Sequence, residues 1–288
     1  MLNRLLGFGC AWLVASILVV PATAMETVPK HIDPGLVTST VPLDGLARLR
    51  FVTTLDYPPF NFADENKKPT GFNVELARAI CERLDIEAKC EIQAVPWEEL
   101  EPALEARRAE AVIAGYDITP SFRARFELSQ PYFRFPARFM VRQGSVVGPQ
   151  GSAGLADFVG SPIRVGVLEG SAHAAYVATH FPDANLVRFP DTAPLYNALS
   201  SGEVDYLFGD GISFSFWLAS NASQDCCQFT AEPILDDRYF GRGMVIALRL
   251  DDEVLREAID AALKELEADG SIEALFVRYF PINPYQKN

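Results

Sequence analysis

Twice along this chain, a short apolar run ends at turn-forming residues and gives way to a helical period. A glycine- and serine-rich interval, Gly144 to Gly154, separates the two series. Strand and helix signals that alternate in this way specify α/β units, in which helices cover a largely parallel sheet. The first series reads as a strand over Leu49–Thr54, a helix over Val74–Leu84 and a strand near Cys90–Ala94. A helix begun by Pro96-Trp97-Glu98-Glu99 and a buried strand at Ala111–Ala114 follow. Proline and acidic residues suit a first helical turn. The second series reads as a strand over Ile163–Leu168, a helix over Ala172–His180 and a strand over Asn185–Arg188. It continues with a helix over Pro194–Leu199 and a strand over Val204–Phe208, broken at Gly209-Asp210-Gly211. Strand character returns over Tyr239–Leu248. Asp251-Asp252-Glu253 then starts a long amphipathic helix that Asp269-Gly270 stops, and a last helix spans Ser271–Tyr279. One α/β unit, then a second, then an added strand and helices imply two lobes joined by two crossovers.

The first strand leads into Tyr57-Pro58-Pro59-Phe60. Each proline fixes φ and holds the residue before it extended, so the two aromatics belong to a stiff loop. That loop follows the carboxyl end of a strand, where ligands of open α/β sheets sit.

The first 24 residues stand apart from the fold. Arg4, an apolar run over Leu5–Val20 and Ala22-Thr23-Ala24 make a secretory signal peptide, with Cys10 in a context poor for lipid attachment. The product is expected to be soluble and exported. Residues 25–48, rich in proline, threonine and valine, read as an irregular arm. With 38 acidic against 25 basic residues and no basic clusters, nucleic acid and anionic membrane surfaces are excluded as partners. In an oxidising compartment pairing is the default for cysteines, and a short loop could bring Cys81 to Cys90. For Cys226 and Cys227 a vicinal bridge, free thiols and a crosslink to another chain all stay open. The three histidines are scattered, so no metal or cofactor is expected.

Several motifs then fall in a familiar order: Tyr57-Pro58-Pro59-Phe60, Gly71-Phe72-Asn73-Val74-Glu75-Leu76-Ala77, Ile118-Thr119-Pro120 and Ser129-Gln130-Pro131-Tyr132-Phe133. Gly166-Val167-Leu168-Glu169-Gly170-Ser171, Val204-Asp205-Tyr206-Leu207-Phe208-Gly209-Asp210, Leu266-Glu267-Ala268-Asp269-Gly270 and Tyr279-Phe280 complete the series. In this order and spacing the chain resembles the family 3 periplasmic solute-binding proteins, the amino-acid-binding components of ABC importers. The resemblance implies a bilobed type II fold that closes on its ligand. Lobe 1 would comprise residues 49–134 and 240–282 and lobe 2 residues 135–239, with hinges near Arg134–Pro136 and Leu235–Gly241 and a tail at 283–288. It also places Cys81 and Cys90 at the lobe-1 disulfide of lysine/arginine/ornithine and histidine binders. The implied protein is a periplasmic monomer that delivers a small polar solute to an ABC permease and is not an enzyme. A dehydratase of the cyclohexadienyl type and a soluble sensor for a membrane receptor are the alternatives.

Residue by residue, the resemblance makes Tyr57 and Trp97 two aromatic walls able to sandwich an aliphatic or cationic group. Gly115, Asp117 and Thr119 match the loop that holds the ligand's α-carboxylate, and Tyr116 adds a ring. The family completes this clamp with an arginine three residues after the threonine; here Phe122 stands there and Arg123 follows it. Asp117 replaces a serine or threonine. A carboxylate about 4 Å from the ligand's own would cost on the order of a few kcal/mol. Ser171 matches an anion-facing helix start, and Asp210 the acid that takes the ammonium. Thr54 replaces an acid common in basic-amino-acid binders, while Asp56 and Glu169 are nearby acids. Arg134, Arg138 and Arg242 near the hinges are the groups able to supply the missing carboxylate contact. Acids and aromatics without the matched arginine imply an amino-acid- or amine-like solute, cationic or zwitterionic.

Overall fold

A computed structural model describes residues 28–33, 35, 43, 45–145 and 163–286. The expected leader, much of the arm, most of the Gly144–Gly154 interval and the last two residues lie outside the described residues. The chain opens with β1 (Leu49–Thr53) and a small layer of β2 (Asp56–Tyr57), β3 (Asn61–Ala63) and β4 (Pro69–Thr70). Then come α1 (Phe72–Arg83), β5 (Cys90–Ala94), α2 (Leu100–Glu105) and β6 (Ala111–Asp117), followed by α3 (Pro120–Arg123) and β7 (Phe126–Leu128). The second unit begins with β8 (Ala137–Arg142), β9 (Arg164–Leu168), α4 (Ala172–His180) and β10 (Asn185–Phe189). It ends with α5 (Thr192–Ser201), β11 (Tyr206–Asp210), α6 (Gly211–Leu218) and β12 (Cys227–Ile234). The return passes through α7 (Asp237–Phe240) to β13 (Met244–Arg249), α8 (Glu253–Ala268) and α9 (Ser271–Tyr279).

These strands form two five-stranded sheets, ordered β5-β1-β6-β13-β7 and β10-β9-β11-β8-β12. In each, three parallel strands meet an antiparallel return strand, β13 or β8. Both faces are covered, as the unbroken apolar runs require. In the first sheet Leu49, Phe51, Ile113 and Ile246 pack under α1, α8 and α9, and Val52, Val112 and Val245 pack under α2. In the second, Phe139, Val165 and Phe208 pack under α4, and Met140 and Leu207 under α5 and α6. The architecture is the expected one: two α/β lobes joined by two crossovers.

The crossovers, 129–136 and 235–243, run side by side. Tyr132 N donates to Met244 O at 2.9 Å, Met244 N donates to Phe133 O at 2.8 Å, and Arg134 pairs with Asp237. The segment beyond α9, expected to be a tail, forms a third link. Tyr285 is buried and its hydroxyl donates to Arg134 O, while Arg138 of β8 donates to Pro284 O and Gln286 O. Burial, opposed by the charge of Glu232, lowers the Arg138 guanidinium to about 10.

Several boundaries shift by a few residues from expectation, and two of them lie at the joints of the second lobe. The break at Gly209-Asp210-Gly211 is a joint: β11 runs through Asp210 and α6 starts at Gly211. Its glycines make room for packing, since a Cβ on Gly209 would lie 2.6 Å from the Phe214 ring and one on Gly211 2.8 Å from Pro136 O. Likewise β13 starts at Met244, not Tyr239, because Gly241 and Gly243 take positive φ and turn Tyr239 and Phe240 into α7. Cys81 is bonded to Cys90, and Cys226 to Cys227.

The arm packs on the first lobe through Ile32, and both His31 N and Ile32 N donate to Glu267. The His31 ring lies near Phe133 and Tyr285, with Nε2 buried and unpartnered. Burial, then the charge of Arg134, push this imidazole down to about 4. A histidine that folds neutral costs stability as protons are added, here as pH falls from 6.5 toward about 4. His31→Phe should therefore show a flatter Tm than the parent across that interval; parallel pH profiles would mean that the imidazole titrates freely.

Candidate functional site

Lobe 1 presents its aromatic groups from a rigid base. Beneath the turn lies a buried polar chain: Asn61 Nδ2 donates to Thr54 Oγ1 at 2.6 Å, Asn73 Nδ2 to Asn61 Oδ1 at 2.9 Å, and the Tyr132 hydroxyl to Asn73 Oδ1 at 3.0 Å. Thr54 is thus buried with its hydroxyl engaged, and serves the scaffold. Phe60 is a core residue. Tyr57 is 38% exposed and stacks on Phe60 at 5.0 Å. Its ring lies on Gly115, where a Cβ would fall 2.9 Å from Tyr57 Cε1; Gly115 also holds φ +96. Substitution there is both crowded and strained.

Trp97, 50% exposed, leans on Tyr116 at 4.8 Å. Tyr116 stacks on Phe122 at 4.4 Å, and Phe122 meets Phe126 at 5.0 Å. Phe122 is buried in this ladder, so its position serves packing. Grooves of about 400 Å³ along Gly115, Asp117 and Thr119, and about 370 Å³ along Thr54, Asp56 and Pro96, both border Trp97.

Asp117 faces the second crossover. Its Oδ1 accepts from Ile118 N, Arg242 N and Gly243 N at 2.7, 3.1 and 3.1 Å. The Thr119 hydroxyl caps α3 by accepting from Phe122 N. Arg123 is exposed and unpaired among the described residues, while the Arg242 guanidinium lies 3.9 Å from Asp237. Arg134 and Arg138 are held at the crossovers, as described above.

Lobe 2 contributes Asp210 at the joint between β11 and α6. Its carboxylate accepts from Ile212 N at 2.9 Å and from the Ser213 hydroxyl at 2.7 Å, with no ion pair among the described residues. Its charge is felt in both lobes. Burial first, then Asp210, raise Tyr57 and Tyr196 each to about 12 and raise Tyr285 further. His173, in the first turn of α4, stacks on Phe240 at 4.9 Å; burial lowers its pKa against the pull of Asp210. Ser171 caps α4, accepting from Ala174 N and donating to Leu168 O, so its hydroxyl is engaged both ways. Glu169 is exposed.

The candidates thus divide. Tyr57, Gly115 and Trp97 line the lobe-1 surface and Asp210 acts on Tyr57 from lobe 2, whereas Thr54, Asp117 and Phe122 stabilise the scaffold. Sequence reading missed His173 and Tyr196. Only the place of His173, two residues after Ser171 at a helix start, offered a signal.

Over residues 49–282 the chain matches the family model of the bacterial extracellular solute-binding proteins, family 3. It is 29% identical over 234 residues to the ABC transporter arginine-binding protein 1 of Escherichia coli, covering 81% of this chain and 91% of that one. It superposes on the L-cystine solute receptor of Neisseria gonorrhoeae in its unliganded open conformation, with TM-score 0.70 and 22% identity. That match covers 86% of this chain and 99% of the other. An ancestral cyclohexadienyl dehydratase gives TM-score 0.68 at 19% identity, with 86% and 98% covered. At these identities the structural likeness is one of fold.

The geometry of Asp117 gives a direct test. Asp117→Ala would leave three backbone N–H groups without their acceptor and should cost roughly 1–3 kcal/mol in denaturant unfolding. Asp117→Asn keeps an acceptor oxygen and should retain most of that stability. Equal losses in both variants would show that charge, not the acceptor, matters there.

Proposed function

This chain belongs to the family 3 bacterial extracellular solute-binding proteins, and from that premise we propose that it captures a small cationic or zwitterionic solute between its lobes and presents it to an ABC permease. The observation that carries this reading is the Asp210 carboxylate at the end of β11, which caps the start of α6 through Ile212 N and the Ser213 hydroxyl and has no cation partner among the described residues. A carboxylate without a cation of its own favours a positive group brought by a ligand, and a charge-assisted hydrogen bond there is worth about 1.5–3 kcal/mol. Tyr57 and Trp97 supply aromatic faces suited to a cation or an alkyl chain. Binding would draw the lobes together about the paired crossovers, and the permease would read the closed population.

The protein is a periplasmic binding component in this reading, with residues 1–24 removed on export and both disulfides formed in that oxidising compartment. We read the cleft as non-catalytic. Incubation with prephenate or arogenate is expected to leave the ultraviolet spectrum unchanged; product formation would replace the transport reading with an enzymatic one.

Asp210→Asn preserves an acceptor for Ile212 N while removing the charge. Calorimetric titration with arginine, lysine, ornithine and their amines should show affinity falling tenfold or more in this variant, with little change in the Tm of the unliganded protein. Unchanged affinity would place the cation elsewhere.

A further inference from the structure

We propose that the segment leaving α9, residues 280–286, is a strap that restrains the lobes from closing, so that a solute must work against it. This rests on the lobe closure read above. The sequence makes the segment stiff. Pro281 and Pro284 fix their own φ and cannot continue a helix. Asn283 then folds the chain back on itself. Its Oδ1 accepts from Tyr285 N at 2.9 Å, and its carbonyl accepts from Gln286 N at 3.3 Å. Tyr285 and the carbonyls of Pro284 and Gln286 on either side of it therefore move as one piece.

This piece is stitched to the two lobes in turn. Phe280 and Tyr285 are buried in the first lobe's core, Tyr285 lies 5.6 Å from the Phe276 ring, and its hydroxyl donates to Arg134 O. Between them, Ile282 packs on the second lobe's cluster of Met140, Leu207 and Phe214. Pro284 lies against the start of α6, where a Cβ on Gly211 would meet it at 3.1 Å. Phe216 of α6 approaches the Phe280 ring at 6.2 Å. On β8, Arg138 Nη1 donates to Pro284 O at 3.1 Å and to Gln286 O at 2.7 Å. A stiff segment fixed to two bodies at alternate residues cannot follow both when one turns on the other. Tyr57 and Trp97 are exposed in this arrangement, as they are before a solute is enclosed. Closure therefore has to part the strap from one lobe.

Arg138 is suited to a hold that can be released. Its guanidinium is fully buried, 4.7 Å over the Phe229 ring, yet Nε and Nη2 have no hydrogen-bond partner among the described residues. That is the edge by which Arg50 grips Glu110 and Arg164 grips Asp205, each through two parallel bonds. The strap is instead held by the remaining nitrogen, on two neutral carbonyls. Such a contact is weaker than a bidentate pair with a carboxylate, and the buried donors left unmade cost free energy in this arrangement. The strap thus sets the lobes apart without locking them.

Calorimetric titration with arginine, lysine, ornithine and their amines compares the parent chain with two variants. Arg138→Met keeps an apolar stem on Phe229 and removes the donors; Tyr285→Phe removes one hydroxyl. Loss of a hydrogen bond made only before closure raises the closed population and should tighten apparent affinity roughly threefold to tenfold. Arg138→Lys, which keeps a cationic donor, should fall between the parent and Arg138→Met. Damage to the fold would weaken binding, so a gain separates the strap from a merely structural contact. A folded Arg138→Met that binds no more tightly than the parent overturns the strap; if that variant does not fold, Tyr285→Phe takes its place. If none of these solutes binds the parent, it is the solute reading of the cleft that fails. Small-angle X-ray scattering without solute then decides the strap: a smaller radius of gyration in the same variant than in the parent supports it, and equal radii overturn it.

Discussion

The Asp117 carboxylate holds the end of β6 against the return crossover, and much of the molecule depends on that clasp. One oxygen accepts the N–H groups of Arg242 and Gly243 on the far segment and of Ile118 on its own. Two residues earlier on the same strand, Gly115 forms the floor on which the Tyr57 ring rests. Beside Gly115 is Met244, which bonds in both directions to the outgoing crossover. The aromatic wall and the paired crossovers thus share one short piece of backbone, so movement of the crossovers and placement of Tyr57 are mechanically linked.

The stiffness of that wall has a second source in the buried chain of Thr54, Asn61, Asn73 and Tyr132. A buried polar group left unpaired costs about 1–3 kcal/mol, so a chain with every link made is stable while partial versions are not. It ties the end of β1, the small hairpin layer, the start of α1 and the outgoing crossover to one geometry. Gly71 completes this arrangement, for a Cβ there would fall 2.4 Å from Phe60 O. The turn is rigid through what lies beneath it as much as through its prolines.

The lobes were legible in the sequence because buried parallel strands and amphipathic helices have strong local signatures. Strand Cys90–Ala94 and helices Ala172–His180 and Ser271–Tyr279 lie where periodicity puts them. The shortest strands and α7 carry too few residues for a period. The joint at Gly209-Asp210-Gly211 read as a break because glycine signals a turn unless Phe214 and Pro136 are known to press on it. Of the site, Tyr57, Trp97 and Asp210 were visible as types at positions. Sequence could not say which way Asp117 points, because that is decided by a segment more than a hundred residues away that folds back beside it.

One consequence concerns light rather than binding. Of the three tryptophans, Trp12 lies in the expected leader, leaving Trp97 in the first lobe and Trp217 in the second. Trp97 is half-exposed on the first lobe, whereas Trp217 stacks nearly parallel on Tyr196 at 4.4 Å. The two lobes thus carry one indole open to solvent and one turned into its own scaffold, an intrinsic pair of emitters in unlike surroundings. Their combined spectrum can follow the two lobes without any dye attached.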